Sequence, residues 1–135
     1  MTINERMGTV SRAFDCEGNG TGSGKKTDAE KYAAIIRFVD HDFVYDYIKA
    51  IKVAKRKGVL PDVERTWEIR MGICQDIAAM TVGMLRAVGI KAELCIGTCG
   101  GRKRHAWVEA NVNGKHCLYD HRMGRSKEYK AERRY

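Results

Sequence analysis

The sequence predicts an α+β fold, with helices first and a small antiparallel sheet after them. Two observations carry this. Apolar residues recur at helical spacing over 28–40 and again over 74–88. After residue 90 the period changes to two, and Asn113-Gly114, a strong hairpin signal, separates the last two alternating segments.

The helical half reads as follows. Thr27-Asp28-Ala29-Glu30 has capping-box spacing, and Tyr32, Ile35, Ile36, Val39 and Phe43 follow it on one face. Residues 43–51 are aromatic and apolar and fit either a strand or a second helix; the favoured reading is a helix over 44–57, ended by Gly58 and Pro61. Residues 61–69 then read as a connecting loop, with Trp67 packed or lining a cleft. From Cys74 to Val88, residues Ile77, Met80, Thr81, Met84, Leu85 and Val88 form one face. Gly89 stands where a C-terminal cap belongs. Ala78, Ala79 and Gly83 leave small surfaces for close approach, so this helix is expected at the centre of the core.

In the strand half, Ile90, Ala92, Leu94 and Ile96 alternate with polar or small residues. Residues 97–104 read as a Gly-rich basic loop. Ala106, Val108, Ala110 and Val112 then share a face, and 115–121 is the return strand. A two-residue turn at Asn113-Gly114 sets Val112 opposite Lys115, Trp107 opposite Asp120 and His105 opposite Arg122. His105, Trp107, His116, Leu118, Asp120 and Arg122 then lie on one side of the sheet. His105 and Asp120 become diagonal neighbours about 7–8 Å apart at Cα, within side-chain reach.

Length and composition set the bounds. A chain of 135 residues fits one domain and can bury a core without disulfide or metal staples. Its 44% hydrophobic and 31% charged residues are ordinary for a globular domain. No apolar run reaches the roughly 18–20 residues of a membrane span. Residues 1–9 carry no apolar signal core, so the expected setting is cytoplasmic, or that of a domain excised from a larger exported protein. Residues 1–26 read as a flexible Gly-rich arm and 27–135 as the domain. The arm lacks the strand and the Gly-Lys-Ser/Thr ending of a phosphate loop. The odd set of five cysteines, Cys16, Cys74, Cys95, Cys99 and Cys117, points to free thiols.

The net charge is +8. Lys49, Lys52, Lys55, Arg56 and Lys57 form one basic cluster. The tail 122–135 forms another, with six Lys/Arg against two Asp/Glu. A solvated face and a solvated tail explain both. The sharper reading is attraction to acidic substrates, for which Arg102-Lys103-Arg104 beside His105 would supply a basic rim.

The chemistry centres on Cys74, His105 and Asp120. The thiolate is the nucleophile, and a helix N-terminus favours negative charge. Cys74 opens the expected central helix. An imidazole beside it would form a thiolate–imidazolium pair, and Asp120 would hold His105 in the required tautomer. Backbone N–H groups at the helix start could receive an oxyanion. Trp67, Tyr45 and Gln75 are open candidates for a second donor.

The segments Arg70-Met71-Gly72-Ile73-Cys74-Gln75-Asp76, Leu85-Arg86-Ala87-Val88-Gly89-Ile90-Lys91-Ala92, His105-Ala106-Trp107-Val108-Glu109 and Tyr119-Asp120 resemble the core of the transglutaminase-like superfamily. Tyr45-Asp46-Tyr47 is similar to that family as well. The resemblance spans about 28–121 and implies a papain-like fold, with the nucleophile's helix packed on the antiparallel sheet that carries the base. It implies Cys74 as nucleophile, His105 as base and acid, and Asp120 as orienter. It also implies acyl transfer at amides of peptides or proteins, by transglutaminases, peptidases or amidases, without a cofactor.

His116-Cys117 departs from the family, which often has an aromatic residue there. Only 15 residues follow Asp120, leaving little sheet beyond it. Within these 135 residues the β-sandwich and barrels of animal transglutaminases and their calcium sites are not expected, and no acidic loop of EF-hand type is read.

Cys95, Cys99, His105, His116, Cys117 and His121 could be taken for a zinc set, but their spacing beyond Cys95-x3-Cys99 is irregular, and no metal is expected. A basic, catalytically inactive module holding an acidic polymer is the alternative to an enzyme. For nucleic acid, the sequence shows neither a stacking platform nor a binding motif.

Overall fold

The structure, a computed structural model, describes residues 2–8, 27–54, 56, 59–100, 103–121 and 128–135. Residues 3–8 are helical (α1). Then come α2 (Asp28–Asp42), β1 (Val44–Tyr45), α3 (Tyr47–Val53), α4 (Val63–Ile69), β2 (Met71–Gly72) and α5 (Cys74–Ala87). Four strands complete the order: β3 (Lys91–Cys99), β4 (Lys103–Val112), β5 (Lys115–Tyr119) and β6 (Tyr129–Arg134).

Helix α2 begins as its sequence dictates. Thr27 Oγ1 accepts the Glu30 N–H at 3.2 Å, and Glu30 Oε1 accepts the Thr27 N–H at 3.2 Å, the reciprocal capping box. Ile35 and Val39 face inward from it. The single helix expected over 44–57 is instead divided. Val44 and Tyr45 extend to pair in parallel with Met71 and Gly72, and Asp46 then caps α3 by accepting the Lys49 N–H at 2.9 Å. Aspartate as a helix start within an apolar run explains the break. Residues 63–69, expected as loop, form α4, capped by Asp62 through the Arg65 N–H at 3.3 Å. Trp67 is buried there among Phe38, Phe43 and the Arg70 guanidinium, which lies 4.5 Å from its ring centre.

Helix α5 is the centre of the core. Residues 76–85 are all buried, including Ile77, Met80, Met84 and Leu85. Burial of each such side chain contributes about 1.5–3 kcal/mol. Helix α5 packs on β3 and β4 on one side and on α2 and α4 on the other. The sheet meets it with Ala106, Val108 and Ala110, whose small side chains permit close approach.

The main sheet has the order β5-β4-β3-β6. The Asn113-Gly114 turn has positive φ at both residues, +54° and +80°, as a type I′ hairpin requires. It sets Val112 opposite Lys115 and Val108 opposite Tyr119, the register expected from the sequence. The loop expected over 97–104 is mostly strand, since Gly97 pairs with His105 and Cys99 with Lys103.

The tail is not free among the described residues. Residues 129–134 form β6 against the outer edge of β3, and Tyr135 exchanges two backbone hydrogen bonds with Leu94, at 2.9 and 3.0 Å. Gly97 makes this docking possible. A Cβ there would stand 1.9 Å from the Lys130 carbonyl oxygen, and the pairing shifts register at Ile96/Gly97. At the other end, Met7 of α1 is buried in the core and Arg6 Nη1 donates to the Pro61 carbonyl at 2.7 Å. Order thus begins before Thr27; residues 9–26 of the expected arm lie outside the described residues.

Candidate active site

Cys74 is the first residue of α5, and a buried carboxylate sets its position. Ile73, the residue before the helix, has no polar side chain to cap it. Asp76 supplies the missing partner: its Oδ2 accepts the Ile73 N–H at 3.0 Å and the Lys49 ammonium at 2.7 Å, while Oδ1 accepts the Asp62 N–H at 2.8 Å. One fully buried side chain ties α3, the start of α4 and the start of α5 together. Lys49 therefore leaves the solvated basic face its sequence neighbours suggested. Gly72 lets this cluster close, because a Cβ there would lie 2.7 Å from Thr66 Oγ1 and 2.8 Å from the Asp76 Cβ.

His105 comes from β4. Beyond Val108–Tyr119 the β4–β5 ladder ends, and His105 and Asp120 meet past that last pair. His105 Nε2 lies 2.7 Å from Asp120 Oδ2, with the two side chains 11% and 3% exposed. Cys74, at the start of α5, lines the same cavity as this pair. The three side chains singled out in the sequence are thus brought together. The indole of Trp107 runs nearly parallel to the imidazole, 25° between planes and 6.4 Å between centres.

Burial by itself disfavours the charged imidazole. The Asp120 carboxylate, and then Cys74, override it and push the His105 pKa up to about 10. His105 is therefore held as imidazolium near neutral pH. These residues line a cavity of about 100 Å³, whose walls include Tyr45, Ile77, Arg104, Tyr119 and His121.

The open candidates for a second oxyanion donor separate by position. Gln75 Nε2 is engaged with the Val59 carbonyl at 2.9 Å, and Trp67 is committed to its aromatic cluster. Tyr45 stays at the cavity wall, where the β1–β2 pair fixes it beside the residues before Cys74. In the basic rim, Arg104 lies at the wall and pairs with Glu132 at 2.6 Å. Arg102, the side chain of Lys103, and Arg122, expected opposite His105, lie outside the described residues.

The sequence profile of the transglutaminase-like superfamily matches residues 18–121, more than half of the chain. The chain belongs to the transglutaminase-like superfamily. Solved structures agree on the fold. A candidate cysteine protease from Cytophaga hutchinsonii superposes with a TM-score of 0.64 at 20% identity, over 87% of this chain and 39% of that one. A candidate protease from Parabacteroides distasonis gives 0.64 at 20%, over 86% of this chain and 24% of that one. A TGase gives 0.62 at 14%, over 97% of this chain and 34% of that one. The chain therefore spans well under half the length of these proteins. No curated protein sequence matches it significantly.

Within this transglutaminase-like, papain-like fold, sequence reasoning missed two residues at the site. Asp76 falls in the helix motif, but its buried partners come from three separate elements. Tyr129 donates its hydroxyl to Asp120 Oδ2 at 2.8 Å from a strand whose composition, Tyr-Lys-Ala-Glu-Arg-Arg, gives almost no apolar alternation to read.

The supposed zinc set is dispersed. His116 pairs with Glu109 and His121 with the Phe43 carbonyl, and no group of three or more metal-ligating side chains converges among the described residues. Cys74, Cys95, Cys99 and Cys117 are free thiols. Among the described residues no helix is long and apolar enough to cross a membrane.

Proposed function

We propose that this chain is a thiol-dependent acyl-transfer enzyme acting on amide bonds of peptides or proteins. One observation carries the reading: Cys74, His105 and Asp120 line a single cavity, and His105 Nε2 lies 2.7 Å from Asp120 Oδ2.

Each residue then has a defined task. Cys74 supplies the sulfur nucleophile from the first position of α5, in the cavity that His105 also lines. The sulfur attacks the amide carbonyl, and the oxyanion that forms is received by N–H groups at the start of α5, with the Tyr45 hydroxyl as the side-chain candidate. His105 gives its proton to the leaving nitrogen as the C–N bond breaks, and a thioester remains on Cys74. Water or an amine then attacks the thioester carbonyl while His105 takes its proton, and the C–S bond breaks to release an acid or a new amide and return the Cys74 sulfur. Asp120 keeps the ring oriented and the imidazolium stabilised throughout. Arg104 at the wall supports a preference for an acidic group near the scissile amide, in competition with Glu132.

The experiment is alkylation by iodoacetamide at neutral pH, followed by peptide mass spectrometry, alongside hydrolysis and amine incorporation on a mixed peptide substrate. Cys74 is expected to react well ahead of the other cysteines, and Cys74→Ala and His105→Ala to abolish turnover. Equal reactivity of all cysteines, with turnover unaffected by Cys74→Ala, would overturn the reading.

A further inference from the structure

We propose that Tyr129 is a positioning residue for this site, holding the Asp120 carboxylate in the orientation that His105 needs. The inference rests on the Cys74–His105–Asp120 reading above.

Asp120 follows the last residue of β5, so no ladder hydrogen bond anchors it to β4. Its Oδ2 is the atom that meets His105 Nε2 at 2.7 Å. The Tyr129 hydroxyl donates to that same oxygen at 2.8 Å. One side of the carboxylate is thus pinned by a residue on β6, at the far edge of the sheet from β5. Tyr129 is itself braced, its ring 5.0 Å from that of Trp107. Burial, and next the carboxylate, push its phenol pKa above the ordinary range, so the hydroxyl remains a donor wherever the site works. A donor fixed on one lone pair leaves the other direction for the imidazole, and a pre-oriented orienter costs nothing at the moment of reaction.

The test is the rate of Cys74 alkylation by iodoacetamide in the full chain, read by peptide mass spectrometry at pH 6.5 and at pH 10. At the lower pH alkylation of a thiol is fast only with help from a neighbouring base; at the higher, an ordinary thiol ionises unaided. Tyr129→Phe keeps the ring. It is expected to slow alkylation about tenfold at pH 6.5 and less than about twofold at pH 10, the difference expected from one lost hydrogen bond to a charged group. In an Asp120→Asn background the same substitution should change nothing. The remaining cysteines report on folding, because partial unfolding would speed them all. A fast wild type matched by an equally fast Tyr129→Phe, or an undiminished effect in Asp120→Asn, overturns the assignment of Tyr129 alone. A wild-type Cys74 no faster than the other thiols removes the thiol-enzyme reading and this inference with it.

Discussion

Asp120 Oδ2 lies 2.7 Å from His105 Nε2 across a hairpin, fifteen residues further along the chain. The contact holds a cation against an anion away from water, so His105 should titrate with a midpoint near 10, where an ordinary histidine gives about 6.5. The sign of the linked stability follows. With the folded pKa raised, the pair's contribution is complete below about 6.5, shrinks as pH rises, and is gone above about 10. NMR titration of the His105 ring checks the first statement. Denaturant unfolding of wild type against Asp120→Asn, from pH 6 to 10.5, checks the second: the gap between them should narrow as pH increases.

Asp76→Asn should be costly. It keeps the size of the side chain but removes the charge that faces Lys49 Nζ at 2.7 Å, and its amide presents a donor where three donors already converge. Breaking a buried pair of this kind costs about 3 kcal/mol. Urea unfolding should show that loss, and Cys74 should lose reactivity with it as the start of α5 loosens.

Gly97→Ala tests the docking of β6. The new Cβ would fall 1.9 Å from a backbone oxygen of Lys130, so the strand must move. An overpacking penalty of about 1–3 kcal/mol is expected. Cys74 alkylation at pH 6.5 should fall in the same variant, since Tyr129 travels with the strand.

Gly114→Ala probes the turn. At φ +80° an alanine is strained although the space beside it is open, and about 1 kcal/mol of stability should be lost. Thermal unfolding measures it. His105–Asp120 geometry should survive, because Val108 and Tyr119 still define the register.

Much of the site was legible because its signals are local. Cys74 opens a strongly amphipathic helix, and the Asn113-Gly114 turn propagates a countable register as far as Tyr119. That register places Asp120 within reach of His105 from the sequence alone. The errors fall where local signals compete. Asp46 inside an apolar run read as helix interior, yet it starts α3. Residues 63–69 carry both polar and apolar residues, and their helix exists because Trp67 and Val63 are buried against neighbouring elements. Gly97 and Gly100 made a strand look like a loop.

The sequence alone determined the helix that begins at Cys74, the hairpin that carries His105 and Asp120, and the order in which they occur. Each depends on periodicity, caps and turn chemistry within a few residues. The tertiary structure decided that the basic tail returns as β6 and that Tyr129 reaches Asp120. It also decided that Asp76 joins three elements at the start of α5. Those contacts join groups 9, 14 and 27 residues apart, between charged or polar side chains that show no pattern until burial brings their donors and acceptors together.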